Sequence, residues 1–400
     1  MTLYLFSSIY LNACFRIIVM RNHCYKPFIF SLSCFVLLLC CHARAQQEAT
    51  GAGFGIEMNG VGGKVFKHTK KFKLPIPEHS TALDLNFVWH TYGRKDWQQR
   101  LNYPTVGFGV TYVNYGIDSV YGRALGFYPN LTIPIIRSNK LEWTIRMGFG
   151  LGFISKHYDR YPNWDTLNNA LSSQINNFST FMTDLRYHVN KHWDVQLGAN
   201  FFHISNATYH VPNLGINMYG AHVGLRYFPV TSQPQKIVRD LGPLKNRWLV
   251  QGRFSMALTE SGAPDGPLYH VYLASVYASR RWNSVNKMFA GIDYSYHQDI
   301  YAFLRNNEID VGSERQHSWK SAIFVGNEFG IGHVGIILQV GFYIKQAELK
   351  AITPYYEKLG MHYYLIQKET GPLKELFLSA LLKTHLTEAE LAEFGVGVGF

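Results

Sequence analysis

The segment Leu141-Glu142-Trp143-Thr144-Ile145-Arg146-Met147-Gly148-Phe149-Gly150-Leu151-Gly152-Phe153 alternates without a break. Each odd position is a large apolar residue, and each even position is charged, hydroxylated or glycine. Successive side chains of a β-strand point to opposite faces. The segment therefore reads as a strand with one apolar face and one polar or glycine face. It is also long. Strands of soluble domains run to about five or six residues, whereas a tilted strand needs about 9–11 to cross a bilayer.

The pattern recurs. Leu83, Leu85, Phe87 and Trp89 alternate with Asp84 and Asn86, and Val334, Ile336, Leu338, Val340, Phe342 and Ile344 enclose Gly335, Gln339 and Gly341. At the end of the chain Phe394, Val396, Val398 and Phe400 alternate with Glu393, Gly395, Gly397 and Gly399. That last strand resembles the closing strand of bacterial outer-membrane proteins; the alternative is an edge strand of a soluble sheet. Aromatic residues make up 15% of the chain and charged residues only 16%, which demands either a large core or a lipid-facing surface. In lipid every backbone polar group must find a partner, so strands of this kind have to close into a barrel. Candidate strands centre near residues 57, 86, 109, 129, 147, 183, 199, 223, 253, 274, 292, 323, 339, 362, 379 and 396. The expected fold is all-β: a transmembrane antiparallel β-barrel of the bacterial outer membrane, with about 12–16 strands and a C-terminal Phe strand.

Residues 1–45 read as a leader. Met20-Arg21 and Lys26 give a basic start, Phe28 to Cys41 is apolar, and Ala43-Arg44-Ala45 is a small-x-small cleavage signal before Gln46. The natural start is expected at Met20 and cleavage near Ala45. A membrane anchor is the alternative, but the apolar run is short for a spanning helix. A lipid attachment at Cys40 or Cys41 is weaker, since neither follows Gly, Ala or Ser. Beyond the leader no apolar run is long enough for a transmembrane helix. All five cysteines lie in the leader, so the remainder has no disulfide to hold it. The balance stays modestly basic and contains no clustered Lys/Arg run pointing to nucleic acid. Residues 46–229 form an expected N-terminal set of barrel strands, 230–247 a connecting segment with Pro234 and Pro243, and 248–400 a C-terminal set. The connection Ser155 to Asn177 is expected to be weakly helical around Leu167–Gln174.

One strand ends in unusual chemistry. Phe202-His203-Ile204-Ser205-Asn206-Ala207 is followed by Val211-Pro212-Asn213-Leu214-Gly215-Ile216-Asn217. If the chain turns near residue 210, His203 and Asn217 lie opposite each other, with Cβ atoms about 5 Å apart. His203 and Ser205, two residues apart, share a face. Imidazole, hydroxyl and amide then cluster as base, nucleophile and orienting group of an acyl transfer. The strand from Trp193 carries Val195, Leu197, Ala199 and Phe201 on the same face as His203 and Ser205, while Asp194, Gln196 and Asn200 lie on the other. The apolar face should meet lipid, so the cluster belongs on the outer wall. Asn217 shares its face with Tyr219, Ala221, Val223 and Leu225, against His222 and Arg226. His222 is expected in the lumen. An unpaired polar group in hydrocarbon costs roughly 2–7 kcal/mol, so three at one spot imply mutual hydrogen bonding, a place at the headgroup level, or a function. An interfacial polar rim is the plain alternative. No metal-ligand spacing stands out, and no metal or cofactor is expected.

His203-x-Ser205-Asn206-Ala207, four residues, then Pro212-Asn213-x-Gly215 resembles the signature of the lipid A 3-O-deacylase (PagL) family of outer-membrane acyloxyacyl hydrolases. The resemblance implies an esterase with its site on the outer barrel wall, and a small barrel over residues 80–229; the rest of the chain resembles only generic barrel strands. It implies Ser205 as nucleophile and His203 as base. The family has Glu where this chain has Asn217. An amide can orient an imidazole but does not stabilise imidazolium as a carboxylate does, so slower chemistry, or an acid supplied from elsewhere, is expected. Asn206, Asn213 and the backbone N–H groups after Ser205 are candidates to hold the oxyanion, and the small Ala207 leaves room for an acyl chain. The expected partners are lipid A or lipopolysaccharide, outer-membrane lipids and the barrel-assembly machinery. A non-enzymatic barrel, either a pore or a surface-binding protein with a degenerate site, is the other reading.

Overall fold

Sixteen strands appear among the described residues of the computed structural model, joined antiparallel in chain order and closed into two barrels of eight. The structure describes residues 53–161, 165–230, 234–242, 247–260, 264–283, 285–346, 353–386 and 388–400. The expected leader and its cleavage site near Ala45 lie outside the described residues. The first barrel contains β1 (Phe54–Val65), β2 (Ser80–His90), β3 (Thr105–Asn114), β4 (Arg123–Arg137), β5 (Leu141–Ile154), β6 (Ile175–His188), β7 (Trp193–Ser205) and β8 (Ile216–Tyr227). It closes where β8 pairs with β1. The second contains β9 (Trp248–Glu260), β10 (Leu268–Arg281), β11 (Asn286–His297), β12 (Trp319–Ile331), β13 (Val334–Lys345), β14 (Tyr355–Gln367), β15 (Glu375–His385) and β16 (Glu388–Gly399). It closes through β16 on β9, and Phe400 continues that seam by exchanging backbone hydrogen bonds with Val250.

Every expected strand centre falls inside one of these strands. The strands run from 10 residues in β3 to 15 in β4, the length a tilted crossing needs. Among the described residues no helix is long and apolar enough to span a membrane; the strands do the crossing. The single barrel of 12–16 strands resolves into two closed eights. Among the described residues three short helices, α1 (Asp96–Arg100), α2 (Gln298–Asn306) and α3 (Glu314–His317), lie in connections. The helix expected around Leu167–Gln174 does not form. There the Asn168 side chain accepts the N–H groups of Ala170 and Leu171, a local alternative to helical bonding.

The two faces of each strand differ as their alternation requires. Leu197 is 58% exposed on the outer wall, and the adjacent Gln196 is 1% exposed inside. Eight strands leave an interior that side chains can fill, and both barrels fill it with paired charge. In the first, Arg146 bridges Glu57 and Asp84, Arg186 joins Glu57 to Glu142, Arg226 holds Asp194, and His222 meets Asp184. In the second, Lys287 lies between Glu328 and Glu375, and Lys358 between Asp293 and Glu393. Isolated charges would be costly at such depth; here each has an opposite partner. One end of the first barrel is instead stoppered by an apolar cluster that includes Phe72, Tyr121, Leu171, Phe178, Phe202 and Ile204. Phe202 and Ile204 point into this plug, and that orients the residues between and after them outward.

Candidate functional site

The β7–β8 hairpin sets the site. Its register pairs His203 directly with Asn217. His203 Nδ1 lies 2.6 Å from Asn217 Oδ1. An amide oxygen only accepts, so His203 Nδ1 carries the proton and donates. The other ring nitrogen of a neutral imidazole is then an acceptor, and Ser205 Oγ donates to His203 Nε2 at 2.8 Å. Hydroxyl, imidazole and amide thus form one hydrogen-bonded line on the face turned away from the lumen.

That face is covered at this end. Ser205 is only 5% exposed, because two loops close over it. The Gly215 N–H donates to Ala170 O at 2.8 Å, and Asn206 Nδ2 donates to Ser172 Oγ at 3.1 Å and Ser173 Oγ at 3.0 Å. The segment expected to be helical is therefore half of the roof. Ala207 and Thr208 adopt left-handed conformations, φ 56° and 63°, as the chain leaves the strand, and the Asn206 Oδ1 accepts the Thr208 N–H. Gly215 has φ 74°. A Cβ there would lie 3.0 Å from His203 Cε1, so glycine is needed both for the backbone conformation and for the space beside the ring.

The two loop asparagines play different parts. Both amide hydrogens of Asn206 are used on Ser172 and Ser173, and its N–H donates to Asn213 Oδ1 at 3.0 Å. Asn206 holds the loops together and has no donor left for a substrate. Asn213 is oriented by that same bond, and its buried Nδ2 has no hydrogen-bond partner among the described residues. A buried unpaired donor costs about 1–3 kcal/mol, and here it sits two residues before Gly215, whose position packs against both His203 and Ser205.

Two sets of contacts were not legible in the sequence. His68 Nδ1 lies 2.9 Å from Asn217 Nδ2. The group behind Asn217 is thus a second imidazole. The second barrel also grips the site loop. Thr208 Oγ1 donates to Ala389 O at 2.7 Å and the Val211 N–H donates to Glu260 Oε2 at 2.6 Å; outside that loop, in the β1–β2 connection, Lys71 pairs with Glu388 at 2.7 Å. Residues Gly51–Phe400 form one compact unit. No group of three His, Cys, Asp or Glu side chains among the described residues is placed to hold a metal.

Long amphipathic strands, closed lumens filled with charge and apolar outer walls define an outer-membrane β-barrel protein. The family model described as Lipid A 3-O-deacylase (PagL) matches residues 81–226, and the model described as Acyloxyacyl hydrolase, C-terminal domain, matches residues 246–400. Between them they take in most of the chain, which belongs to the lipid A 3-O-deacylase (PagL)-like family of acyloxyacyl hydrolases. No curated protein matches the chain. Among solved structures, Neisserial surface protein A aligns with 12% identity and a TM-score of 0.32, covering 44% of this chain and 97% of that one. The outer membrane enzyme PagL aligns with 20% identity and a TM-score of 0.30, covering 42% and 97%. A mutant of the Rh. blastica porin aligns with 12% identity and a TM-score of 0.18, covering 87% and 100%.

Proposed function

We propose that this protein is an outer-membrane serine esterase that hydrolyses an acyl ester of lipid A, working from the lipid-facing wall of its first barrel. The observation that carries the reading is the hydrogen-bonded line from Ser205 through His203 to Asn217 on the outward face. An acyl chain lying in the bilayer runs along that wall, beside the two loops that cover Ser205, whereas a group in the lumen would be screened from it.

In this reading His203 Nε2 takes the Ser205 proton as Oγ attacks the ester carbonyl. General-base help of this kind is worth about 10²–10⁴-fold. The negative oxygen of the tetrahedral intermediate accepts a hydrogen bond from Asn213 Nδ2, the donor left open by the loop. His203 then returns its proton to the departing alcohol oxygen, leaving the acyl group on Ser205. Water, deprotonated by the same nitrogen, releases the fatty acid and regenerates the hydroxyl. Asn217 holds the ring in the tautomer that this cycle requires. The site-bearing unit is residues 46–229, joined by 230–247 to the barrel unit 248–400, and the mature chain begins after a leader cut near Ala45.

A pore, the competing reading, would need a lumen, and both eight-stranded interiors carry paired buried charges across them. Purified protein in detergent, given lipopolysaccharide, is expected to release fatty acid detectable by mass spectrometry. Ser205→Ala and His203→Ala should each abolish the release while both barrels remain folded. Folded wild-type protein that leaves every acyl chain in place would sink the proposal.

A further inference from the structure

The geometry points to His68 as a positioning residue: by accepting a hydrogen bond from Asn217 Nδ2, it selects the amide rotamer that keeps the His203 proton on Nδ1 and leaves Nε2 free to act as base. The inference rests on the esterase reading of Ser205 and His203.

A carboxylate behind a catalytic imidazole has two equivalent oxygens, and turning it over changes nothing. An amide has one accepting and one donating end. Turned over, Asn217 would present Nδ2 to His203. The ring would then have to accept at Nδ1 and carry its proton on Nε2, facing Ser205 with a donor where the reaction needs an acceptor. The penalty for this error is known in general: replacing the carboxylate of a Ser-His-Asp triad by an amide keeps the geometry but costs about 10⁴-fold through the wrong tautomer. A Ser-His-Asn line therefore needs something outside the line to fix the amide.

His68 supplies it. Its Nδ1 lies 2.9 Å from Asn217 Nδ2, on the side away from His203, whose Nδ1 is 2.6 Å from Asn217 Oδ1. Asn217 is held at both ends, and His68 Nδ1 acts as the acceptor. The backbone delivers His68 to this place. The last β1–β8 partners are Val65 and Met218, and the ladder continues one step further through the Phe66 N–H, which donates to the Asn217 carbonyl at 2.8 Å. His68 follows two residues later, with its ring 6.0 Å from that of the fully buried Phe72. Proton transfer at Ser205 thus depends on a residue that touches neither Ser205 nor the ester.

The test pairs a tautomer measurement with a mutant cycle. In ¹⁵N-histidine-labelled protein refolded in detergent, with the His203 signals assigned by loss in His203→Gln, the ring should show a protonated Nδ1. His68→Arg offers only donors and should move the proton to Nε2, lowering fatty-acid release at least tenfold. His68→Ala, which removes the acceptor without adding a donor, should give a mixture of tautomers and a smaller loss. In protein carrying the isosteric Asn217→Asp, where both ends accept, His68→Arg should change release less than threefold. An unchanged His203 tautomer in His68→Arg, or an equal loss in both Asn217 and Asn217→Asp proteins, would overturn the inference. The tautomer is read without catalysis. A protein that shows the shift but never releases fatty acid would refute the esterase and leave the His68 assignment standing.

Discussion

His203 and Asn217 face each other across the β7–β8 ladder on the side turned from the lumen, and the amide oxygen receives the ring's Nδ1 proton at 2.6 Å. With the amide turned this way, His203 Nδ1 donates and Nε2 is left to accept from Ser205. The pairing also states what the chain lacks: a negative charge behind the imidazole when that ring becomes imidazolium.

Restoring that charge should speed the chemistry. Asn217→Asp keeps the size and register of the side chain while providing a carboxylate that stabilises the protonated His203 formed in the transition state. We expect kcat for fatty-acid release to rise, by about tenfold for each 1.4 kcal/mol of added stabilisation, with KM little changed. A folded Asn217→Asp protein that is inactive would remove Asn217 from the orienting position.

The unpaired amide nitrogen of Asn213 carries a second expectation. Asn213→Asp keeps the Oδ1 that accepts the Asn206 N–H but replaces the open donor with an oxygen. Loss of one oxyanion donor typically costs about 10²–10³ in kcat, and a negative oxygen facing the developing charge adds to it. Steady-state assays should show kcat falling at least a hundredfold. Asn206→Asp, which disturbs only the bonds to Ser172 and Ser173, should cost less.

Gly215 tests how tightly the ring is held. An alanine there meets an unfavourable φ of 74° and sets a methyl group 3.0 Å from His203 Cε1. Misplacing a reacting group by about 1 Å can cost about 10²-fold. Gly215→Ala should therefore lose between roughly tenfold and a hundredfold in kcat while the barrel still resists denaturant as the wild type does. Equal losses of activity and of barrel stability would mean that Gly215 serves only the fold.

The chemistry of side chains alone does not locate this site; parity does. In the second barrel Ser295 Oγ lies 3.1 Å from His297 Nε2, with Asp299 Oδ1 3.6 Å from His297 Nδ1. A serine and a histidine are assembled there as well, with an acid in place of the amide, but Ser295 and His297 lie on the inward face of β11. Ser295→Ala should leave fatty-acid release unchanged, which a lipid extract assay would register directly. What the sequence made legible was local: a period of two gave each strand, its inner and outer face, and the opposition of residues 203 and 217. What it left open was long-range. Pairing β8 to β1 uses the same backbone hydrogen bonds as pairing β8 to β9, so nothing in either strand announces two cylinders in place of one. His68 is 149 residues from Asn217 in the chain and lies in a loop without periodicity. The Leu167–Gln174 stretch misled for a related reason, since the side chains of Asn168, Ser172 and Ser173 are spent on loop contacts that no helical pattern encodes.

The second barrel should matter to catalysis through Glu260. This residue, at the end of β9 and nearly fully buried, accepts the Val211 N–H at 2.6 Å and lies 3.5 Å from His210. Both partners belong to the loop that runs from Ser205 to Gly215 and carries Asn213. A hydrogen bond to a charged group contributes about 1.5–3 kcal/mol, comparable to the cost of local loop opening. Glu260→Ala should leave both barrels folded, since it breaks no strand pairing, but free the loop. The expected result is a severalfold fall in kcat together with faster proteolytic cleavage between residues 206 and 213. Glu260→Gln keeps an accepting oxygen and should retain most of the activity and the protection. If Glu260→Ala matches the wild type in both assays, the contact between the barrels is incidental to the site and the C-terminal barrel has its purpose elsewhere.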